Sequence, residues 1–287
     1  MTFTFMTSLF LLFFISGLTS QKVSAYQIFN GKGKKVQFEE MISNIIETEV
    51  LLFGEIHNDP IIHWLQYESL LAIGKKRKLV LGAEMFEADN QQGLNQYLLD
   101  EISKDSMAKV VRLWNNYDTD YKKLVEFAKE KKIPFIATNV PRKYANKVFK
   151  NGFEVLDTLP NDEKAWIAPL PIKYDGELEC YKSMMEMDMG GHSPTENFPK
   201  AQAIKDATMT HFILKNRLPN TMFIHFNGTY HSDNYQSIFW YLKEGKEEIK
   251  CKTISAIQQK QVSKLDKEHL GKADFIICVD EDMTTTY

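Results

Sequence analysis

Four short apolar runs, each closed by a polar corner and followed by a segment of helical periodicity, leave this chain few folds to choose from. The runs are 47–54 (ETEVLLFG), 78–83 (KLVLGA), 134–138 (PFIAT) and 221–226 (TMFIHF). A strand that is apolar at successive positions presents a greasy surface on both faces, so it belongs in a sheet covered on both sides. After the first run, Asn58-Asp59-Pro60 supplies a helix N-cap and a proline for the first turn. A helix is expected from Ile61 to Ile73, stopped by Gly74, with Lys75, Lys76, Arg77 and Lys78 near its negative end. Helical segments are expected up to about Glu101, then over 104–114, 121–131 and 233–242. Closing strands are expected over 252–257 and 274–279. Alternating β and α elements of this kind predict a three-layer α/β/α fold built on a mainly parallel sheet.

Residues 160–199 interrupt the alternation. They carry five prolines and a Met-rich stretch with Met184, Met185, Met187 and Met189. A connection this long between strands is expected to form a helical cap or binding segment within one domain spanning 26–287. At the N-terminus, Leu9 to Ile15 (LFLLFFI) is too short to cross a bilayer but suits the apolar core of a secretory signal. Val23-Ser24-Ala25 fits a cut before Tyr26, so residues 1–25 are expected to be a signal peptide, with the protein exported to the periplasm or cell surface. No Cys lies near that cut, so a lipid anchor is not expected. Cys180, Cys251 and Cys278 are widely spaced and form no CxxC knuckle. A net charge of −3 gives no electrostatic support for nucleic-acid binding.

The chemistry is carried by the residues at the end of each strand and just beyond it, because ligands of open parallel sheets bind outside the carboxyl ends of the strands. The corners read Gly54-Glu55-Ile56-His57, Glu84-Met85-Phe86, Asn139-Val140-Pro141-Arg142 and Asn227-Gly228-Thr229-Tyr230-His231. Glu55, His57, Glu84, Asn139, Arg142 and His231 are thus expected to converge. Each taken alone has an ordinary explanation: a strand-end Glu84 can cap or ion-pair, and His57 can order a turn. Four strand ends jointly favour a site. Glu55 and His57, two residues apart, point the same way in extended chain. With His231 they form a candidate set for a divalent transition metal. In a helix expected over about 199–215, Gln202 and Asp206 share a face that continues as Met209 and Ile213. The Met cluster reads first as adaptable packing, while Tyr181 and His192 beside it are candidates to approach a large apolar cofactor such as haem. No GxSxG elbow supports a serine mechanism, and Ser232 and Ser237 fall in an expected helix start.

These corners, together with Ala201-Gln202-Ala203-Ile204-Lys205-Asp206-Ala207-Thr208-Met209, resemble the ordered motifs of the ChaN haem-binding uptake family. That family is related to the Tiki/TraB metalloprotease-like proteins and the erythromycin-esterase-like hydrolases. The resemblance runs from about Gly54 to Asp280. It implies an α/β/α fold, haem as cofactor, and a role in iron acquisition, with haem held as a cofacial pair across a homodimer and ligated by tyrosine. Tyr174, Tyr181 and Tyr230 are candidates for that ligand by neighbourhood only. Membrane-associated uptake machinery is an implied partner. The competing expectation is a metal-dependent hydrolase in which Glu55, His57 and His231 bind the metal and Glu84 or Asp206 accepts a proton.

Overall fold

A computed structural model describes residues 24–187, 194–245 and 248–287. In chain order its elements are β1 (Tyr26–Asn30), β2 (Lys35–Val36), α1 (Phe38–Ile45), β3 (Val50–Glu55), α2 (Pro60–Gly74), β4 (Lys78–Glu87), α3 (Gln91–Leu98), α4 (Lys104–Val110) and α5 (Lys122–Lys131). There follow β5 (Phe135–Asn139), α6 (Arg142–Asn151), α7 (Asn161–Lys164), α8 (Glu179–Lys182), α9 (Asn197–Asn216), β6 (Thr221–Gly228), α10 (Ile238–Glu244), β7 (Cys251–Gln259) and β8 (Phe275–Asp280). The sheet order is β2-β1-β8-β7-β3-β6-β4-β5. β3 to β8 pair in parallel, and β1 runs antiparallel to both β8 and β2 at one edge.

Alternation along β3 shows why its apolar run is unbroken. Leu51 and Phe53 join a core with α1, α2, α3 and α5, whereas Val50 and Leu52 face Met209 and Ile213 of α9 and Ile238 and Leu242 of α10. Every residue of β3 is buried. Gly54 allows this close packing: a Cβ there would lie 2.9 Å from the Ile254 carbonyl and 3.2 Å from the Thr229 Cα.

Three expectations change in detail. The helix expected over 233–242 is broken, because Asn234, Tyr235 and Ser237 adopt positive φ and regular helix begins only at Ile238. That turn lets Ser237 Oγ donate to the Tyr230 carbonyl. The segment expected over 104–114 is helical only to Val110. The described residues of 152–196 pack as an extension of the domain, with Leu156, Leu159, Ile167 and Ile172 closing a core with α6 and α9. Within it Met184 is buried beside Tyr181 and Ala203, while Met185 and Met187 are exposed. Met189 and His192 lie outside the described residues, as does nearly all of the expected signal peptide. No helix among the described residues is long and apolar enough to cross a membrane.

Candidate functional site

Parallel β3, β4 and β6 lie side by side, so their carboxyl ends deliver Glu55, Glu84 and the Asn227-Gly228 corner to one place. Glu84 is buried and accepts a hydrogen bond from the Gly228 amide (2.8 Å). His231, one turn beyond β6, stands between two carboxylates: Nε2 is 3.1 Å from Glu84 Oε1 and Nδ1 is 2.5 Å from Asp206 Oδ1. Asp206 is carried in by α9 and accepts from the phenol of Tyr181 (2.7 Å). Gln202, one turn before it, places its amide 3.2 Å from the His231 ring.

Glu55 organises a second cluster beside the first. Its Oε1 accepts from His57 Nδ1 (2.9 Å) and from Tyr121 (2.7 Å), and its Oε2 accepts from Gln66 (2.5 Å). His63 places one ring nitrogen 3.1 Å from Gln66 Oε1 and the other 3.0 Å from the His57 carbonyl. Asn116 donates to that same carbonyl (2.9 Å) and to Asp120 (2.7 Å). His57 also meets the edge of Trp114, with ring centroids 4.9 Å apart. The clusters touch at Gly228, where a Cβ would fall 2.7 Å from His57 Nε2 and 3.5 Å from Glu84 Oε2. Only glycine leaves room for the two networks to approach.

The protonation states follow from this pairing. Burial favours the neutral form of Glu84, but the charge and hydrogen bond of His231, the charge of His57 and the Gly228 amide together hold its carboxyl well below the usual range. Burial likewise opposes charge on His231, yet Glu84 and Asp206 raise it to about 10. Asp206 is pushed up by its burial, against the pull of His231. Burial opposes ionisation of Glu55, and the His57 hydrogen bond with the neighbouring imidazoles reverses it, lowering the carboxyl. Burial opposes protonation of His57, and the Glu55 bond with the Glu84 charge overcomes it, raising the imidazole. Deeper in β6, buried His225 is lowered to about 4 and stays neutral between Thr138 and Asn227.

A cavity of about 990 Å³ opens beside this floor. Glu84 and Asn139 form part of its base, Trp114 and Val140 its apolar wall, and Arg142 and Lys205 part of its rim. Asn139 donates to the Glu84 carbonyl (2.9 Å), while its own Oδ1 is buried without a partner. Tyr287 lines the far side, and the chain leading to it is pinned where Thr286 donates from its amide to Asn58 (2.9 Å) and from its hydroxyl to Asp120 (2.8 Å).

The structure therefore gathers Glu55, His57, Glu84, Asn139, Gln202, Asp206 and His231 at one pole, with Arg142 exposed at the rim. It separates other expected roles. Glu55, His57 and His231 are not one metal-ligand set: Glu55 and His57 are spent on each other, and both nitrogens of His231 face carboxylates. Among the described residues no three His, Cys, Asp or Glu side chains are placed to hold a metal ion. Tyr181 lies buried behind Asp206, the Tyr230 phenol donates to the Cys180 carbonyl, and Tyr174 packs on Tyr181. None of the three lines the cavity, nor does any described residue of 160–199. Sequence reasoning missed His63, Gln66, Asn116, Asp120 and Tyr121. His63, Gln66 and Ser69 do interrupt the buried stripe of α2, a signal legible in principle. Tyr121 arrives from a π-helical turn over Tyr117–Tyr121, an irregularity often found at sites.

Known proteins are similar to this chain in sequence pattern and in fold. The sequence model of the family described as haem-binding uptake, Tiki superfamily, ChaN matches residues 41–242. No curated protein matches the sequence. Among solved structures, ChaN of Campylobacter jejuni, described as binding haem cofacially, superposes with a TM-score of 0.68 at 16% identity, over 89% of this chain and 97% of that chain. A succinoglycan biosynthesis protein superposes with a TM-score of 0.52 at 10% identity, over 89% and 94% of the two chains. A protein from Bacillus cereus gives 0.50 at 11% identity, over 89% and 95%. At these identities the likeness to the solved structures is one of fold.

Proposed function

We propose that this chain, which belongs to the haem-binding uptake family (Tiki superfamily, ChaN), binds haem in the cavity at the carboxyl ends of β4 and β5 and serves iron acquisition. The observation that carries this reading is the cavity's make-up. Its volume of about 990 Å³ lies at the upper end of ligand pockets, which run roughly 300–1,000 Å³. Trp114 and Val140 offer a flat ring an apolar wall, and Arg142 and Lys205 stand where paired carboxylates would be met. The lining thus fits the periphery of a porphyrin. Tyr287 also lines the cavity, and tyrosinate is among the groups that hold haem iron. When bound, haem would supply the iron; the protein's part is to bind, orient and shield it.

Export and a homodimer belong to the same proposal. The apolar run Leu9–Ile15 supports export, and mass measurement of secreted protein, expected to begin at Tyr26, tests it. Absorbance titration of the protein with hemin tests the central claim. A saturable Soret shift is expected, with sedimentation showing dimers on loading. A linear rise indistinguishable from free hemin would remove the reading.

A second reading rests on one geometric fact. His57 is fixed at Nδ1 by Glu55 while Nε2 faces the Gly228–Glu84 corner, the layout of an acid–base residue and its orienting carboxylate. A hydrolase at this site would work through His57 and Glu84 without the expected metal set. Hydrolysis of an activated ester that survives chelator and is lost in His57→Ala would support it; no turnover above buffer would dismiss it.

A further inference from the structure

At the opposite pole of the sheet, where parallel strands begin, a second cavity of about 620 Å³ opens between the ends of α2 and α5. Leu79, Phe127, Ile133 and Leu218 are among its walls. Leu79 and Phe127 are buried, whereas Leu218 is 50% exposed. Around them stand Lys75, Arg77, Lys78, Lys131 and Lys132, and no carboxylate belongs to the lining. In a chain of net charge −3, this is a marked local excess of positive charge.

Cations are common at helix C-termini, where they neutralise terminal carbonyls. Backbone amides do that work here. The Ile73 carbonyl accepts from the amides of Lys76 (2.8 Å) and Arg77 (2.9 Å), and the Ala128 carbonyl accepts from Ile133 (2.8 Å). Nearby acids are also taken, Glu130 by Lys131 (2.7 Å) and Glu49 by Arg217 (3.0 Å). Arg77 donates to the Ile46 carbonyl. Lys75, Lys78 and Lys132 are exposed and form no ion pair among the described residues.

We propose that this cavity binds a single-chain amphiphile with an anionic head group, such as a fatty carboxylate, its chain on Leu79, Phe127 and Ile133 and its head group among Lys75, Lys78 and Lys132. The apolar floor selects a chain, and the unpaired rim selects the sign of the head group. A concave hollow suits one chain better than it suits the flat surface of a bilayer. The site is independent of the haem reading, since it shares no lining residue with the first cavity.

Calorimetric titration of the full chain with dodecanoate, kept below its micelle concentration, tests this. One saturable site is expected. Dodecyltrimethylammonium, with the same chain and opposite charge, should give no saturable heat. The double variant Lys78→Glu/Lys132→Glu changes two exposed side chains and should keep the wild-type melting temperature. It should weaken dodecanoate by roughly tenfold or more, about 1.4 kcal/mol. Protein saturated with dodecanoate should titrate hemin unchanged. The proposal is overturned by equal dodecanoate affinity in the double variant, by inorganic phosphate binding equally well, or by competition with hemin. It is also overturned if the protein sediments with anionic phosphatidylglycerol vesicles yet ignores monomeric dodecanoate.

Discussion

Replacing His231 by glutamine removes an imidazolium that stands between two buried carboxylates, and the consequence can be worked through as a function of pH. Glu84 and Asp206 hold His231 at about 10 instead of the ordinary 6.5, a difference worth roughly 5 kcal/mol. Direct removal of one member of a buried pair costs about 3–5 kcal/mol, which agrees. The His231 contribution is fully present below 6.5 and is lost as pH rises through about 10. Lowered Glu84 contributes stability above the ordinary carboxylate range and loses it as pH falls below that range. In His231→Gln the chief influences lowering Glu84 are gone and its burial remains, so its folded-state pKa moves upward. A raised carboxyl is relieved by protonation, and the variant regains stability toward acid. The destabilisation should therefore peak near pH 7 at about 3–5 kcal/mol. It should shrink toward pH 5 as the carboxyls of the variant protonate. It should shrink by roughly 3 kcal/mol toward pH 9, as the wild type gives up its own pair. Urea denaturation of both proteins at pH 5, 7 and 9, with unchanged m-values, measures it. A difference that stays flat or grows steadily across that range would refute the assignment of His231 as a buried cation.

Tyr121→Phe deletes the 2.7 Å bond to Glu55 and leaves a buried carboxylate oxygen with one donor fewer. It should cost about 1–3 kcal/mol by urea denaturation, and no loss would mean that Tyr121 is not a partner of the ionised carboxylate. Gly228→Ala forces a Cβ to within 2.7 Å of His57 Nε2. It should lower stability by about 1–3 kcal/mol and displace the His57 ring, visible as a shifted imidazole resonance, whereas an unmoved ring would deny the contact. Arg142→Glu combined with Lys205→Glu should weaken hemin by about tenfold or more. Unchanged hemin affinity would take carboxylate recognition away from this rim.

The parallel strands were legible because burial on both faces leaves no polar positions in runs such as VLLF at 50–53, and the site residues at their ends followed from topology alone. β1 and β2 were not: YQIFN is short, and its outer partner is a two-residue strand without a pattern of its own. The Glu55 cluster was half legible. His57 announces itself two residues after Glu55, but Asn116, Asp120 and Tyr121 come from the junction between the helices expected over 104–114 and 121–131, where no apolar period marks the π turn over Tyr117–Tyr121. The Met-rich segment was legible as packing, as buried Met184 is, but no further. Composition reports that it is apolar and adaptable, but says nothing of the bond between Tyr181 and Asp206 that makes it a buttress behind His231.

The two functional readings make opposite demands on His57. A general base must lose its proton near neutral pH, and Glu55 with Glu84 instead favour the protonated ring. Among the carboxylates of the floor, Glu55 pairs with His57, while Glu84 and Asp206 share His231. On the haem reading, charge recognition falls to exposed Arg142 and half-buried Lys205, the cations a carboxylate-bearing cofactor would meet at the rim. If hydrolysis occurs here with His57 as base, its rate must climb as pH rises past the ordinary imidazole range and must lose that climb in Glu84→Gln, which removes one source of the raised pKa. A pH–rate profile already flat at pH 6 would show that His57 works unprotonated and would undo the electrostatic case for a binding site.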